Sequence, residues 1–112
     1  MSDCLFCKIA AGEIPADKVY EDEQVVVFRD INPKAEVHLL IIPREHLAGL
    51  NELESGHDAL IAHIMRLIQP LAVDQGLESG YRAIINTGRD GGQEIFHLHI
   101  HLLGGRDLPG FG

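Results

Sequence analysis

The sequence predicts an α+β fold in which one long and one short helix accompany a five-stranded antiparallel sheet. Five segments have the alternating pattern or the β-branched and aromatic composition of strands. One long central segment instead repeats its apolar residues at helical spacing. Because short links join the strands on both sides of that helix, an antiparallel α+β sheet is favoured over an array of βαβ units.

The N-terminal half supplies the short helix and three of the strands. Residues 4–11 are compatible with a helix that stops at Gly12. A tight turn is predicted at Asp22-Glu23, and Pro43 is expected to end the nearly all-apolar third strand. The three strands are predicted over residues 18–21, 24–30 and 37–42.

The C-terminal half supplies the long helix and two further strands. The helix is predicted over residues 55–75, with Ser55 as its cap and Gly76 at its end. Pro70 lies inside it and predicts a kink or an early stop. The apolar stripe of the helix comprises Leu60, Ile64, Leu67, Ile68 and Leu71. The last two strands are predicted over residues 81–86 and 95–103, with a polar, glycine-rich loop between them.

Composition and charge limit the classes of partner. The chain has 112 residues, of which 46% are hydrophobic and 23% charged, as expected for one globular domain over residues 1–112. The formal net charge is -8 and the nine Lys and Arg residues are scattered, which argues against a nucleic-acid partner. Neither a leader-like segment nor an apolar run of about 20 residues is present, so we expect a cytoplasmic protein without a membrane partner.

The strongest chemical signal is a row of three histidines in the last predicted strand. His97, His99 and His101 alternate with apolar residues, so a strand places them on one face, about 6.8 Å apart at roughly 3.4 Å per residue. Packing alone does not explain three such imidazoles. They suit a catalytic metal site, general acid–base catalysis or nucleophilic attack by neutral imidazole. A straight row cannot bring all three histidines to one metal ion. General acid–base catalysis and nucleophilic attack are compatible with each other.

The loop before this strand favours phosphorus chemistry. Gly91 and Gly92 allow backbone N–H groups to approach an anion closely, and Gln93 follows them directly. A Gly-Gly pair also occurs in ordinary turns, but its place just before the histidine row makes it more informative. Neither a Walker motif nor G-x-G-x-x-G occurs, so a P-loop or Rossmann protein is not indicated.

Motifs spread over nearly the whole chain carry a family resemblance. They are Phe6-Cys7-Lys8-Ile9, Glu13-Ile14-Pro15, Phe28-Arg29-Asp30-Ile31-Asn32-Pro33, His38-Leu39-Leu40-Ile41-Ile42-Pro43, Gly80-Tyr81-Arg82, Gly91-Gly92-Gln93, His97-Leu98-His99-Ile100-His101-Leu102 and Leu103-Gly104-Gly105-Arg106. In these segments the sequence resembles the histidine triad (HIT) family, and within it the Hint-like branch in its bacterial, zinc-containing form.

The resemblance implies a fold and an activity. It implies the HIT fold, a homodimer that joins two sheets into one, and a purine nucleotide bound on the open face. The implied activity is cleavage of the P–N bond of purine nucleoside phosphoramidates through a nucleotidyl-histidine intermediate, with no catalytic metal required. The alternatives are a dinucleoside polyphosphate hydrolase, which the Fhit branch resembles, and a nucleotide-binding scaffold dimer.

The resemblance also implies the roles of individual residues. His99 would be the nucleophile, His101 would contact the phosphate, and His38 would lie beside the nucleophile and support its orientation. Asp30 would bind the ribose hydroxyls. The base pocket would be walled by six residues for which an ordinary core is the alternative explanation: Phe6, Ile9, Ile14, Phe28, Ile31 and Leu40. The phosphate end would be lined by Asn86, Gly92, Gln93 and Glu94, the last at a position where animal Hint proteins carry Ser.

Cys4 and Cys7 form a second candidate site. Their C-x-x-C spacing fits a redox pair or half of a zinc site, but the strand that precedes a thioredoxin-like redox pair is missing. Among the seven histidines, His46 and His97 are best placed to complete a zinc site, and zinc-containing HIT proteins look similar. A closed Cys2His2 set predicts one structural zinc ion per chain.

Overall fold

The computed structural model describes residues 3–110 and contains a five-stranded antiparallel sheet. The strands are β1 (Lys18–Glu21), β2 (Val25–Arg29), β3 (Val37–Pro43), β4 (Arg82–Ile84) and β5 (Ile100–Gly104). The helices are α1 (Leu5–Ala10) and α2 (Asp58–Asp74). Hydrogen bonds join the strands in the order β1-β2-β3-β5-β4, and every neighbouring pair is antiparallel. The α+β class predicted from the sequence is therefore confirmed.

The two faces of the sheet are covered differently. On one face the apolar stripe of α2 packs on the sheet, and the residues between the histidines belong to this layer as predicted: Leu98, Ile100 and Leu102. On the other face, α1 contributes Phe6 and Ile9 to a smaller apolar cluster with β2 and β3. β3 lies under both layers, which explains why it is apolar at nearly every position. The second face is only partly covered, and this leaves room for a site.

Helix α2 begins and ends differently from the prediction. Residues 55–57 form a short 3-10 turn, and the cap is a reciprocal contact in which the backbone N–H of Glu54 donates to Nδ1 of His57 over 3.0 Å. This pair satisfies two backbone N–H groups at once, so the prediction of Ser55 as the cap is wrong. The early stop at Pro70 is also wrong. Pro70 leaves the carbonyl of Arg66 without its helical partner, but both residues are exposed and water can replace the bond.

The C-terminal end of α2 agrees with the prediction. Gly76 has φ +76 just after the helix, the left-handed conformation that glycine adopts without a steric penalty. Among the residues that the structure describes, no helix combines the length and the hydropathy needed to cross a membrane.

Strand β5 starts five residues later than predicted, at Ile100 rather than residue 95. In the register that pairs Ile41 with Ile100, Leu98 would face Pro43. Pro43 has no N–H to donate, and the N–H of Leu98 bonds instead to the carbonyl oxygen of Leu47, 2.6 Å away. The histidine segment therefore leaves the β3 ladder before β5 begins. β4 is also shorter than the predicted 81–86, and in its register with β5 Asn86 would face His99, which lies before the ladder begins.

The predicted turn at Asp22 is present and is tied to α2. Oδ1 of Asp22 accepts the backbone N–H groups of Gln24 and Val25, while Oδ2 lies 2.7 Å from both the hydroxyl of Tyr20 and Nε2 of His63. Burial acts to raise the pKa of Asp22, but these four hydrogen bonds together hold that pKa well below its usual range. The turn between β1 and β2 is thus anchored to the long helix by one carboxylate.

Replacing this carboxylate should destabilise the fold in a pH-dependent way. A depressed pKa stabilises the folded state above the unfolded pKa of about 3.9, and this stabilisation is lost as pH falls below it. We expect Asp22→Asn to lower the free energy of unfolding by about 1–3 kcal/mol near neutral pH, because its amide N–H faces two donors. Urea unfolding of both proteins, near neutral pH and near about pH 3, should show a smaller difference in acid. An equal difference at both values would contradict the assignment.

Candidate active site

A cavity of about 1030 Å³ opens on the face of the sheet opposite α2. Apolar side chains of α1, β2 and β3 line it together with histidines of β3 and β5 and residues of the glycine-rich loop. Cavities of about 300–1,000 Å³ with mostly apolar walls and a few polar groups are typical of small-molecule sites. The dimensions therefore suit a ligand as large as a nucleotide.

The cavity brings together nearly all the site residues considered in the sequence. Its lining includes Phe6, Ile9, Ile14, Phe28, Asp30, Ile31, His38, Leu40, Asn86, Gly92, Glu94, His99 and His101. Phe28 and Leu40 are buried in the apolar cluster and also line the cavity, so they serve both core and wall. Ile31 is 99% exposed although it is among the lining residues.

Gln93 is the exception, since its side chain holds the glycine-rich loop in place and does not line the cavity. Its Nε2 donates to the carbonyl oxygens of Ala48 and Ile95, over 2.7 and 3.0 Å, and its Oε1 accepts the N–H of Gly88. Both amide N–H groups are therefore occupied. Gln93 acts on a ligand only by fixing the position of its neighbours.

The glycine-rich loop does not offer the anion cradle predicted from its sequence. The N–H groups of Gly91 and Gly92 donate to the carbonyl oxygens of Gly88 and Arg89, and the N–H of Gln93 also donates to Gly88. The loop closes on itself so tightly that a Cβ at Gly91 would lie 2.3 Å from the carbonyl oxygen of Thr87. The glycines are needed for this closure, and the N–H groups of Gly91, Gly92 and Gln93 are not available to an anion.

His99 lines the cavity, and a hydrogen bond to the backbone fixes its tautomer. Its Nδ1 lies 2.7 Å from the carbonyl oxygen of His97, an acceptor that requires Nδ1 to carry the proton. Nε2 of the neutral ring then holds a lone pair. The ring is only 7% exposed and packs edge-on against Phe6 at a centroid distance of 5.2 Å. In this tautomer Nε2 needs no base to deprotonate it, which is a property that a nucleophile requires.

His38 contacts His101 rather than His99. The backbone N–H of Lys34 donates to Nδ1 of His38 over 3.1 Å, so the proton of His38 is on Nε2. That nitrogen lies 2.9 Å from Nδ1 of His101 and donates to it. His101 must then carry its own proton on Nε2. The ring centroids of His99 and His101 are 4.9 Å apart, so the ring that carries this N–H packs against the ring of His99.

Burial keeps the His38–His101 pair uncharged near neutral pH. Burial lowers the pKa of His38, and the carboxylate of Asp30 acts in the opposite direction. Burial, together with charge on His99 and His38, lowers the pKa of His101 to about 4. Because both rings are neutral, Lys34 can donate to His38 and His38 can donate to His101.

Asp30 joins this pair, but the three residues suit hydrogen bonding better than a metal ion. Oδ2 of Asp30 lies 3.4 Å from Nε2 of His38, and the ligand atoms of Asp30, His38 and His101 all lie within 4.8 Å of one another. A cation on Nε2 of His38 would force the proton of that ring onto Nδ1. A proton on Nδ1 would face the backbone N–H of Lys34, and two donors cannot form a hydrogen bond with each other.

The four predicted metal ligands do converge. Sγ of Cys4 and Sγ of Cys7 lie 3.3 and 3.5 Å from Nδ1 of His97, and Sγ of Cys7 lies 3.2 Å from Nδ1 of His46. A tetrahedral zinc ion with bonds of about 2.3 Å to sulfur and about 2.05 Å to nitrogen separates such atoms by about 3.6 Å. Nε2 of His97 donates to the carbonyl oxygen of Pro43 over 2.8 Å, which leaves Nδ1 free to ligate. The donor set therefore fits zinc.

Some residues of the site were not identified from the sequence. The cavity is also lined by Leu5, Pro15, Ala16, Ile84, Ile95 and Leu103 among others. Ile84 precedes Asn86 by two residues, so strand alternation would have placed both on one face. The hydrogen bond from the backbone N–H of Lys34 to His38 could not be predicted from the sequence, because any non-proline residue supplies the same N–H.

The fold and the histidines at the open face are those of the HIT class of hydrolases. A family model described as the HIT domain matches residues 11–108. The chain therefore belongs to the HIT domain family, and the resemblance found in the sequence is confirmed.

Individual relatives agree with this assignment. A crystal structure of a HIT family hydrolase from Legionella pneumophila is 50% identical, with a TM-score of 0.93 over 96% of this chain and 97% of that one. A HIT-like protein of Synechococcus elongatus is 51% identical over 95% of this chain and 93% of its own length. A protein of Zea mays named 14 kDa zinc-binding protein is 46% identical over 96% of this chain and 85% of its own length.

Proposed function

We propose that the protein hydrolyses the P–N bond of purine nucleoside phosphoramidates through a nucleotidyl-histidine intermediate. The observation that carries this proposal is the tautomer of His99, whose Nε2 lone pair faces a nucleotide-sized cavity. In-line attack on the α-phosphorus needs such a lone pair, and a neutral imidazole supplies it without a metal. Asp30 and the apolar wall supply groups that suit a ribose and a base.

The reaction has two balanced steps. In the first, Nε2 of His99 bonds to the α-phosphorus, the P–N bond breaks with its electron pair moving to nitrogen, and the departing amine takes a proton from water. In the second, water attacks the same phosphorus, the P–Nε2 bond breaks, and a nucleoside monophosphate leaves. One difficult displacement is thereby replaced by two easier ones. The second step returns neutral His99 and releases a proton to solvent.

Charge on the non-bridging phosphoryl oxygens is offset by side-chain donors. Nε2–H of His101 stands beside the nucleophile and is held there by His38. Asn86 lines the cavity and uses one of its two amide N–H groups on the carbonyl oxygen of Gly91, so the other remains for an oxygen of the substrate. Donors fixed before the reaction need no reorganisation as charge develops.

Steady-state turnover of three ligands tests the activity. Purified protein should hydrolyse an adenosine or guanosine phosphoramidate, leave a dinucleoside polyphosphate largely intact, and bind the nucleoside monophosphate product. Turnover of the polyphosphate alone would instead support the dinucleoside polyphosphate hydrolase, and binding without turnover would support the scaffold.

Asp30 should determine the preference for ribose. Its Oδ1 accepts the backbone N–H of Asn32 over 2.8 Å, which fixes the carboxylate at the cavity wall. A carboxylate that accepts hydrogen bonds from two vicinal hydroxyls loses part of them with deoxyribose. We expect Asp30→Ala to erase most of a preference of about tenfold or more for ribonucleotide over deoxyribonucleotide kcat/KM.

The matched control for this comparison is Asp74→Ala, at the end of α2 and away from the cavity lining. It should keep the wild-type preference. An unchanged preference in Asp30→Ala would remove Asp30 from the ribose site.

We also propose that Cys4, Cys7, His46 and His97 hold one structural zinc ion per chain. The distances above support this, as does the name of the Zea mays relative. When bound, the ion would contribute a cross-link and no open coordination position for water. It would join the start of α1 to the segment that carries His99.

We propose in addition that the protein is a homodimer joined through β4. β4 lies at one edge of the sheet, and within residues 3–110 no strand pairs with its outer side. Unpaired edges favour pairing with another strand, and the neighbouring Tyr81 is 40% exposed. Sedimentation equilibrium should give twice the chain mass, whereas a monomer at every concentration would contradict the proposal.

A further inference from the structure

A second cavity adjoins the active site near the start of α1. It has a volume of about 460 Å³ and shares Leu5, Glu94 and Ile95 with the larger cavity. Its other lining residues are Asp3, Cys4, His46 and Phe96. Because they share these walls, the two cavities are direct neighbours.

The charge of the second cavity is negative. Glu94 stands on the shared wall with an exposed side chain, and residues 3–110 give it neither a hydrogen-bond nor an ion-pair partner. Asp3 adds another carboxylate, and no Lys or Arg is among the described residues of this lining. Because no Lys or Arg of this lining pairs with them, the two carboxylates attract positive groups and repel negative ones.

The same cavity also offers apolar contact. Leu5 and Phe96 both line it, and they are 42% and 51% exposed. An alkyl chain lying on them would remove apolar surface from water. An ammonium group near the face of Phe96 would gain a further attraction.

We propose that the second cavity is the leaving-group subsite and that it selects amines with an alkyl stem and a separate cationic end, such as alkyl diamines. This inference rests on the proposed phosphoramidate hydrolysis, since it concerns the group bonded to the phosphorus. Glu94 and Asp3 attract the cationic end, and Leu5 and Phe96 hold the alkyl stem. The same carboxylates repel a leaving group that ends in phosphate.

Three adenosine phosphoramidates with the same five-carbon amine arm test the subsite. The arms end in a methyl group, an ammonium or a carboxylate, and kcat/KM is measured for wild type, Glu94→Gln, Asp3→Asn and the control Glu78→Gln. Glu78 is an exposed carboxylate that lines neither cavity. Wild type should prefer the ammonium arm to the carboxylate arm by about tenfold, and raised ionic strength should reduce this ratio.

Each variant has a distinct expected ratio. Glu94→Gln should bring the ammonium-to-carboxylate ratio close to one, Asp3→Asn should reduce it in part, and Glu78→Gln should leave it at the wild-type value. Equal wild-type rates for the three arms, or a ratio unaffected by Glu94→Gln, would overturn the subsite. If wild type cleaves none of the three, the phosphoramidate activity itself is refuted, and the two failures are thereby distinguished.

Discussion

His99→Ala should abolish phosphoramidate hydrolysis while the protein remains folded and binds nucleoside monophosphate. No other ring nitrogen at the site combines a fixed lone pair with exposure to the cavity, because Nε2 of both His38 and His101 carries a proton. Loss of a covalent nucleophile typically lowers kcat by at least about a thousandfold. Rapid quenching of the wild-type reaction should also give a nucleotidyl adduct on His99, detectable by mass spectrometry.

A chemical rescue separates loss of the nucleophile from loss of structure. Removing the ring leaves space beside Phe6 in a cavity of about 1030 Å³, and free imidazole can enter it. Added imidazole should restore part of the turnover of His99→Ala and should not accelerate wild type. Turnover above a tenth of the wild-type rate in His99→Ala without imidazole would mean that the nucleophile is another group.

The sheet and the long helix could be predicted because burial imposes a periodic sequence pattern. Leu98, Ile100 and Leu102 face α2 as their alternation requires, and the stripe of α2 packs on the same layer. The ends of the elements depend on contacts that periodicity does not describe. The late start of β5 follows from its register with β3, which would place Leu98 opposite Pro43. These residues are 55 positions apart in the sequence, so a local pattern does not show that they would meet.

In the site, too, the residue types could be predicted from the sequence, whereas the hydrogen bonds that orient them could not. Histidines are unusual in a strand pattern, so the sequence singles out the histidine row, and the four predicted metal ligands do lie together in the structure. The prediction that the loop glycines bind an anion is wrong because their N–H groups form hydrogen bonds within the loop. Gln93 holds the loop in place by donating to the carbonyl oxygen of Ala48. The tautomer of His101 depends on the Lys34 backbone, a donor that no side-chain pattern reveals.

Loss of the zinc ligands should lower the melting temperature markedly and leave the chemistry in place. Metal binding to a site that exists only in the folded state adds to folding free energy. Cys4 lies at the start of α1 and His97 lies two residues before the nucleophile, so the ion would connect both segments. We expect Cys4→Ala to contain no stoichiometric zinc and to melt on the order of 10 °C below wild type.

Chelation provides the matched control for this variant. A strong chelator should lower the melting temperature of wild type towards that of Cys4→Ala and should have little further effect on Cys4→Ala itself. Below the melting transition, kcat/KM should stay within about tenfold of wild type, because a closed Cys2His2 shell leaves no position for a reacting water. Wild type that contains no zinc and has freely titratable thiols would refute the site. Complete loss of turnover with an unchanged melting curve would instead identify a catalytic metal, and the metal-free attack by His99 would then be wrong.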